Sequence, residues 1–244
     1  MKRFICLIFI LIPSLCYAGP EIMLMAANHS QGATTEGCTT GVTKTTCQNF
    51  ETATTGYDNG ETWTPVTLTG CTYAPAYTTN PGRGSQSFLL TATGANQCYT
   101  EHTYAGASTH SFFARIRIVS GANETVIDMW DSGYSHEVMK LVWAGSNWDI
   151  TQGTATANTS SASWAASTWW YVWVDMTTGS GANGTMYFYV SSTSTKPGSP
   201  TLSITTGSTT TNPVATDMTN GTSASSVEYD QIMESASVIG SVTP

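Results

Sequence analysis

The sequence predicts an all-β protein built as two packed antiparallel sheets, and three observations carry that prediction. Short strand-like runs recur along the chain, separated by Gly, Asn and Ser clusters such as SGAN, DSGYS, AGSN and GSGANG. No stretch shows an apolar stripe at helical spacing over three turns. Only 10% of the 244 residues are charged, while Thr, Ser, Gly, Ala and aromatics make up the balance. That composition favours strands and lacks the charge density of a disordered chain.

Residues 1–18, MKRFICLIFILIPSLCYA, place Lys2 and Arg3 before an apolar stretch from Phe4 to Ile12, followed by Pro13 and the small Ala18. This is the pattern of a signal peptide, with an apolar run too short for a membrane span. A lipoprotein reading of Cys16 is disfavoured by Leu15, since such sites want a small residue before the cysteine. The expectation is a protein that is secreted or held at a cell surface. No later run approaches the ~20 apolar residues needed to cross hydrocarbon.

The net charge of −8 becomes two units more negative without Lys2 and Arg3, leaving Lys44, Arg83, Arg115, Arg117, Lys140 and Lys196 as scattered cations. Too few bases remain, too widely spread, to neutralise a run of phosphates, which argues against nucleic acid and anionic lipid as partners. Cys38, Cys47, Cys71 and Cys98 form an even set that favours two disulfides in an oxidising compartment. Three connectivities are open, and the sequence-adjacent pairs Cys38 to Cys47 and Cys71 to Cys98 are preferred.

Residues 19–46 are small and polar without a sustained period, and read as a leader tied down by one disulfide. Strand-like runs follow around Cys47 to Glu51, Ser85 to Thr91, Ser111 to Val119, Thr125 to Trp130, Val138 to Ala144 and Trp148 to Ile150. Further runs cover Trp169 to Met176, Met186 to Val190, Thr201 to Ile204 and Val227 to Met233. A single domain over 47–237 leaves 238–244 as a C-terminal tail.

Alternation assigns faces to these strands. In SFFARIRIV, Phe112, Ala114, Ile116 and Ile118 share one side, and Phe113, Arg115 and Arg117 the other. In WWYVWVDM, Trp170, Val172, Val174 and Met176 point inward, leaving Trp169, Tyr171, Trp173 and Asp175 outward. In MYFYV, Met186, Phe188 and Val190 point inward, leaving Tyr187 and Tyr189 outward. A shared sheet would gather Arg115, Arg117, Tyr171, Trp173, Asp175, Tyr187 and Tyr189 on one outer face. Flat rings beside polar donors and acceptors suit the C–H faces and hydroxyls of a sugar. The competing reading makes them cross-strand pairs or a face covered by another segment.

The ordered series NFETATTGYDNGETWT, PAYTTNPGRGSQSFLL, SFFARIRI, TWWYVWVDM, GTMYFYV and VEYDQIMES resembles concanavalin A-like or laminin-G-like jelly rolls over roughly Cys47 to Ser237. The resemblance implies a two-sheet antiparallel jelly-roll β-sandwich with ligands on a concave face or its edge loops. It also implies that Ca²⁺ is possible, for which Asp58, Asn59 and Glu61 in GYDNGETW offer oxygen ligands, against the reading of a plain Asx turn. No other cofactor is required.

Laminarinase-type enzymes of this fold carry an E-x-D-x-E strand, which Glu228, Asp230 and Glu234 approximate. Six positions separate the two glutamates, however, about 20 Å along a strand, where a retaining pair needs ~5.5 Å. Tyr229 and Asp230 are therefore expected to fix the packing of the last strand. Another carboxylate set, for instance Asp128 and Asp131, is the remaining route to catalysis. His29, His102, His110 and His136 show no metal-ligand spacing, and no GxSxG elbow occurs. The leading expectation is a non-catalytic module that recognises an extracellular or surface glycan. The alternatives are a structural or adhesive surface or virion-associated protein that binds other proteins, and a glycoside hydrolase or lyase of the same fold.

Overall fold

The computed structural model describes residues 46–48, 50, 63–66, 71–76, 84, 87–93, 98–121, 124–159, 164–207, 210–220 and 224–242. The signal peptide 1–18, nearly all of the leader 19–46, Cys38, and the possible calcium ligands Asp58, Asn59 and Glu61 lie outside these residues.

Among the described residues there is no helix, and fifteen strands run in order. They are β1 (Thr46–Gln48), β2 (Trp63–Val66), β3 (Cys71–Ala76), β4 (Ser87–Ala92), β5 (Tyr99–Thr103), β6 (Thr109–Ser120), β7 (Glu124–Trp130) and β8 (Glu137–Trp143). Then come β9 (Trp148–Gln152), β10 (Ala155–Asn158), β11 (Trp169–Thr177), β12 (Gly184–Ser191), β13 (Leu202–Gly207), β14 (Ala215–Thr219) and β15 (Ser225–Ser235). An eight-stranded sheet has the order β13-β12-β11-β6-β15-β4-β3, with β1 added beside β15. A seven-stranded sheet has the order β10-β9-β8-β7-β14-β5-β2. Every strand pairing is antiparallel, so the expected all-β sandwich is the fold observed.

The core follows from period-2 patterning. Phe112, Ala114, Ile116 and Ile118 of β6, Val172, Val174 and Met176 of β11, and Met186, Phe188 and Val190 of β12 join one buried cluster between the sheets. Trp143, Trp148 and Ile150 enter it from the opposite sheet. Tyr229, as expected of β15, is a packing anchor: it is fully buried and its hydroxyl donates to the carbonyls of Val126 and Thr219. Gly121, at φ 108°, makes the turn from β6 to β7, a conformation that costs glycine little.

Five strands gave no clear sequence signal, and each lacks what the pattern needs. β2 and β3 contain Pro65 and Pro75, which a ladder tolerates at sheet edges, where both strands lie. β5 (YTEHT), β10 (ATAN) and β14 (ATDMT) alternate too few apolar residues to stand out.

Cys71 and Cys98 are disulfide-bonded across 27 residues, as preferred from the sequence, tying the start of β3 in one sheet to the start of β5 in the other. Cys47 is disulfide-bonded as well. Closing a loop of this size stabilises by about 3.5 kcal/mol through the unfolded chain. Replacing both Cys71 and Cys98 by Ala is expected to lower unfolding free energy by roughly that amount in urea titrations. A loss below about 1 kcal/mol would contradict the assignment.

Candidate functional site

The outer face of the eight-stranded sheet holds the residues singled out from the sequence, and register sets them in rows. Tyr171 stands opposite Arg115 and Trp169 opposite Arg117 between β11 and β6. Across β6 and β15, Asp230 stands opposite Arg115 and Glu228 opposite Arg117. The Arg115 guanidinium lies 4.6 Å from the Tyr171 ring centre, and that of Arg117 lies 5.3 Å from Trp169. Arg117 is ion-paired with the buried Glu228. Each row thus runs from a half-buried ring to an arginine to a buried carboxylate. Glu228 holds Arg117 by its ion pair, and cation–π attraction draws both guanidiniums to the rings.

Further along the same face the arrangement changes. Trp173 is completely buried, packed with Phe113, Met233, Cys47, Ile239 and Val242 in a second apolar cluster, against which Tyr171 and Tyr189 also pack. Its indole Nε1 donates to the Gly240 carbonyl at 3.0 Å. Lys196 Nζ donates to Asp175 at 2.6 Å and to the Ile239 carbonyl at 2.9 Å, and lies 4.4 Å from the Tyr189 ring centre. Burial lowers the Lys196 pKa below the usual lysine range, against the pull of Asp175. Ser111 Oγ completes the tie, donating to Asp175 and accepting from the Ile239 amide.

The expected binding face is therefore divided. Residues 239–242 turn back over Trp173, Asp175 and Tyr189, so the Trp173 ring is not an open surface for a ligand, and Arg115 is buried beneath Tyr171. Arg117, Tyr171 and Tyr187 remain half-buried, and Trp169 joins them. The physical reason is the apolar pair Ile239 and Val242, which packing against the aromatic face removes from water.

The outer face of the seven-stranded sheet carries a row that sequence reading met only through Asp128. Glu101 of β5, Asp217 of β14, Asp128 of β7 and Lys140 of β8 stand directly opposite one another. Burial, then the charges of Asp128 and Glu101, push the Asp217 carboxyl up to about 9, and a hydrogen bond joins it to Asp128. A carboxyl raised this far keeps its proton at neutral pH and can donate it to Asp128.

Asp131 has a different task. Its carboxylate pairs with His136 Nδ1 at 2.7 Å and accepts from the amides of Gly133, Ser135 and His136, and these bonds hold its pKa well below the usual carboxylate range. It organises the turn between β7 and β8, which carries the half-exposed Tyr134 toward a hydrogen bond with Glu101. Asp131 is thus engaged in its own turn, whereas Asp128 is engaged with Asp217. Among the described residues, no group of three or more His, Cys, Asp or Glu is arranged to hold a metal ion, and no helix is long and apolar enough to cross a membrane.

These features define an all-β sandwich of two antiparallel sheets, with a ring-and-arginine face on its larger sheet. Solved structures similar to it include an endo-β-1,4-glucuronan lyase from the fungus Trichoderma reesei, at TM-score 0.59 and 11% identity over 80% of this chain and 96% of that one. A cellulose-induced protein, Cip1, aligns at TM-score 0.55 and 15% identity over 80% of this chain and 99% of that one. A sialidase aligns at TM-score 0.56 and 8% identity over 81% of this chain but 19% of its own length. At these identities the likeness is one of fold. No protein-family model and no curated protein matches the sequence.

Proposed function

We propose that this chain is a secreted, non-catalytic carbohydrate-recognition module whose glycan rests on Trp169 and Tyr171 and is hydrogen-bonded by Arg117. The observation that carries this reading is the pair of adjoining rows in which a half-buried ring is backed by an arginine and a buried carboxylate. Arg115 positions Tyr171 from beneath, and Tyr187 extends the face along β12. The buried Trp173 and the half-buried Asp175 and Tyr189 act as its support. Similarity to a glucuronan lyase and to a cellulose-induced protein supports a carbohydrate partner. Secretion is supported by the signal-peptide pattern and by the disulfides. Ca²⁺ at Asp58, Asn59 and Glu61 belongs to the proposal, and a rise in melting temperature on adding calcium tests it.

Calorimetric titration against a panel of neutral and uronic polysaccharides tests the site. Trp169→Ala and Tyr171→Ala are each expected to weaken binding about tenfold or more, since one lost ring contact is worth roughly 1.4 kcal/mol. Melting temperature should change little. Absence of binding across the panel, or undiminished binding in both variants, would overturn the site. A glycan-cleaving enzyme is the second reading, favoured by the hydrogen-bonded Asp128–Asp217 pair beside Glu101, because perturbed carboxylates cluster at functional sites. Release of reducing or unsaturated ends, lost in Asp128→Asn, would decide for it.

A further inference from the structure

A second polar site lies inside one end of the sandwich, on the opposite side of β15 from the ring-and-arginine face. The ladder between β15 and β6 is irregular between Asp230 and Met233, where Gln231 has φ 48°. The irregularity shifts which face each following residue occupies. Glu228 stays on the outer face with Arg117, whereas Glu234 turns into the interior and bonds His102 of β5. His110 of β6 approaches from the other side, its Nε2 3.5 Å from Glu234 Oε1. Tyr104 lies flat on the His110 ring at 4.6 Å between centres, and its hydroxyl reaches Thr216 at 3.1 Å.

These groups line a cavity of about 130 Å³ with the methyls of Ala105, Ala107 and Ala236. Glu234 is 1% exposed and His110 5% exposed, yet Glu234 Oε1 and His110 Nε2 make no hydrogen bond of normal length. Burial alone would raise the Glu234 pKa, but the two imidazoles outweigh it and hold the carboxyl at about 2, so it is anionic across the neutral range. A buried anionic oxygen and a ring nitrogen that meet only at 3.5 Å, without a well-formed hydrogen bond, leave room for a partner that serves both. A hydroxyl does so, donating to the carboxylate and accepting from an imidazole N–H.

We propose that this cavity binds the hydroxyl end of a small polyol through Glu234 and His110. The alanine methyls and the face of Tyr104 take the carbon skeleton. The volume equals that of about four waters at ~30 Å³ each, enough for a two- or three-carbon polyol or the hydroxymethyl arm of a larger sugar. It is well below the ~300 Å³ at which pockets for larger ligands begin. An anionic ligand is excluded by the carboxylate.

Glycerol and ethylene glycol, titrated into the full chain while the imidazole ¹⁵N signals are followed by NMR, test the site. Saturable shifts of His110 and His102 in the millimolar range are expected. Ala107→Leu fills the cavity from its rim and should abolish them without lowering the melting temperature. Glu234→Gln keeps the shape but removes the anionic acceptor, and should weaken glycerol binding more than tenfold. Trp169→Ala should leave the titration unchanged, which separates this site from the outer face. A folded protein whose histidine signals show no saturable change, or a change that survives in Ala107→Leu, would overturn the proposal.

Discussion

Trp173→Ala is expected to lower the unfolding free energy by about 3 to 5 kcal/mol, the range for deleting a fully buried Trp side chain. The ring has no exposed surface, and it fills the centre of the cluster formed with Phe113, Met233, Ile239 and Val242. Its loss leaves a void and orphans the Gly240 carbonyl. Residues 239–242 should then lift from the sheet, because their other hydrogen bonds are one to Ser111, two to Lys196 and one to Ser194. Urea denaturation measures the first effect, and hydrogen exchange at the Ile239 and Val242 amides the second. The contrast with Trp169→Ala is the informative part. Trp169 is expected to affect glycan affinity with little change in stability, Trp173 to affect stability first. Near wild-type stability in Trp173→Ala would mean that the covered face is open in solution.

Asp217→Asn is expected to stabilise the protein increasingly as pH rises. A carboxyl held at about 9 in the fold and near the ordinary aspartate value of 3.8 when unfolded binds its proton more tightly in the folded state. Stability is therefore fully present below about pH 4 and falls as pH rises toward 9, at up to about 1.36 kcal/mol per unit. Asparagine keeps the shape, donates to Asp128 in place of the carboxyl proton, and carries no charge to desolvate. The gain should be negligible near pH 4 and on the order of a few kcal/mol at pH 7 to 8, which corresponds to roughly 2 to 4 °C in melting temperature per kcal/mol. Melting curves across that range provide the measurement. A variant no more stable than the wild type at pH 8 would show that Asp217 is ionised in the fold. Such a gain would also mark a site where stability is sacrificed, the expected cost of a functional carboxylate pair.

Much of the sandwich was legible because period 2 is a local property. SFFARIRIV, WWYVWVDM and MYFYV each state which residues face inward, and Phe112, Val172 and Phe188 are found where alternation puts them. The polar strands β5 and β14 were not legible, and these two bring Glu101, Asp217 and His102 into position. Their side chains look dispersed in sequence because each finds its partners on neighbouring strands or in the opposite sheet. Glu234 was hidden for another reason. Strict alternation puts it on the same face as Glu228, and one irregular step at Gln231 reverses that.

By itself, the sequence determined the fold class, the inward and outward residues of the strongly patterned strands, and a preference for pairing Cys71 with Cys98 that the structure then bears out. Each depends on composition, spacing or the alternation of neighbouring residues. The tertiary structure alone decided that Trp173 is buried and Trp169 half-buried, that Asp217 is bonded to Asp128, and that Glu234 meets His102 from the opposite sheet and His110 from the neighbouring strand. Exposure and pKa depend on what covers or approaches a group, and here those neighbours come from distant parts of the chain: the C-terminal residues over Trp173, and the opposite sheet beside Glu234.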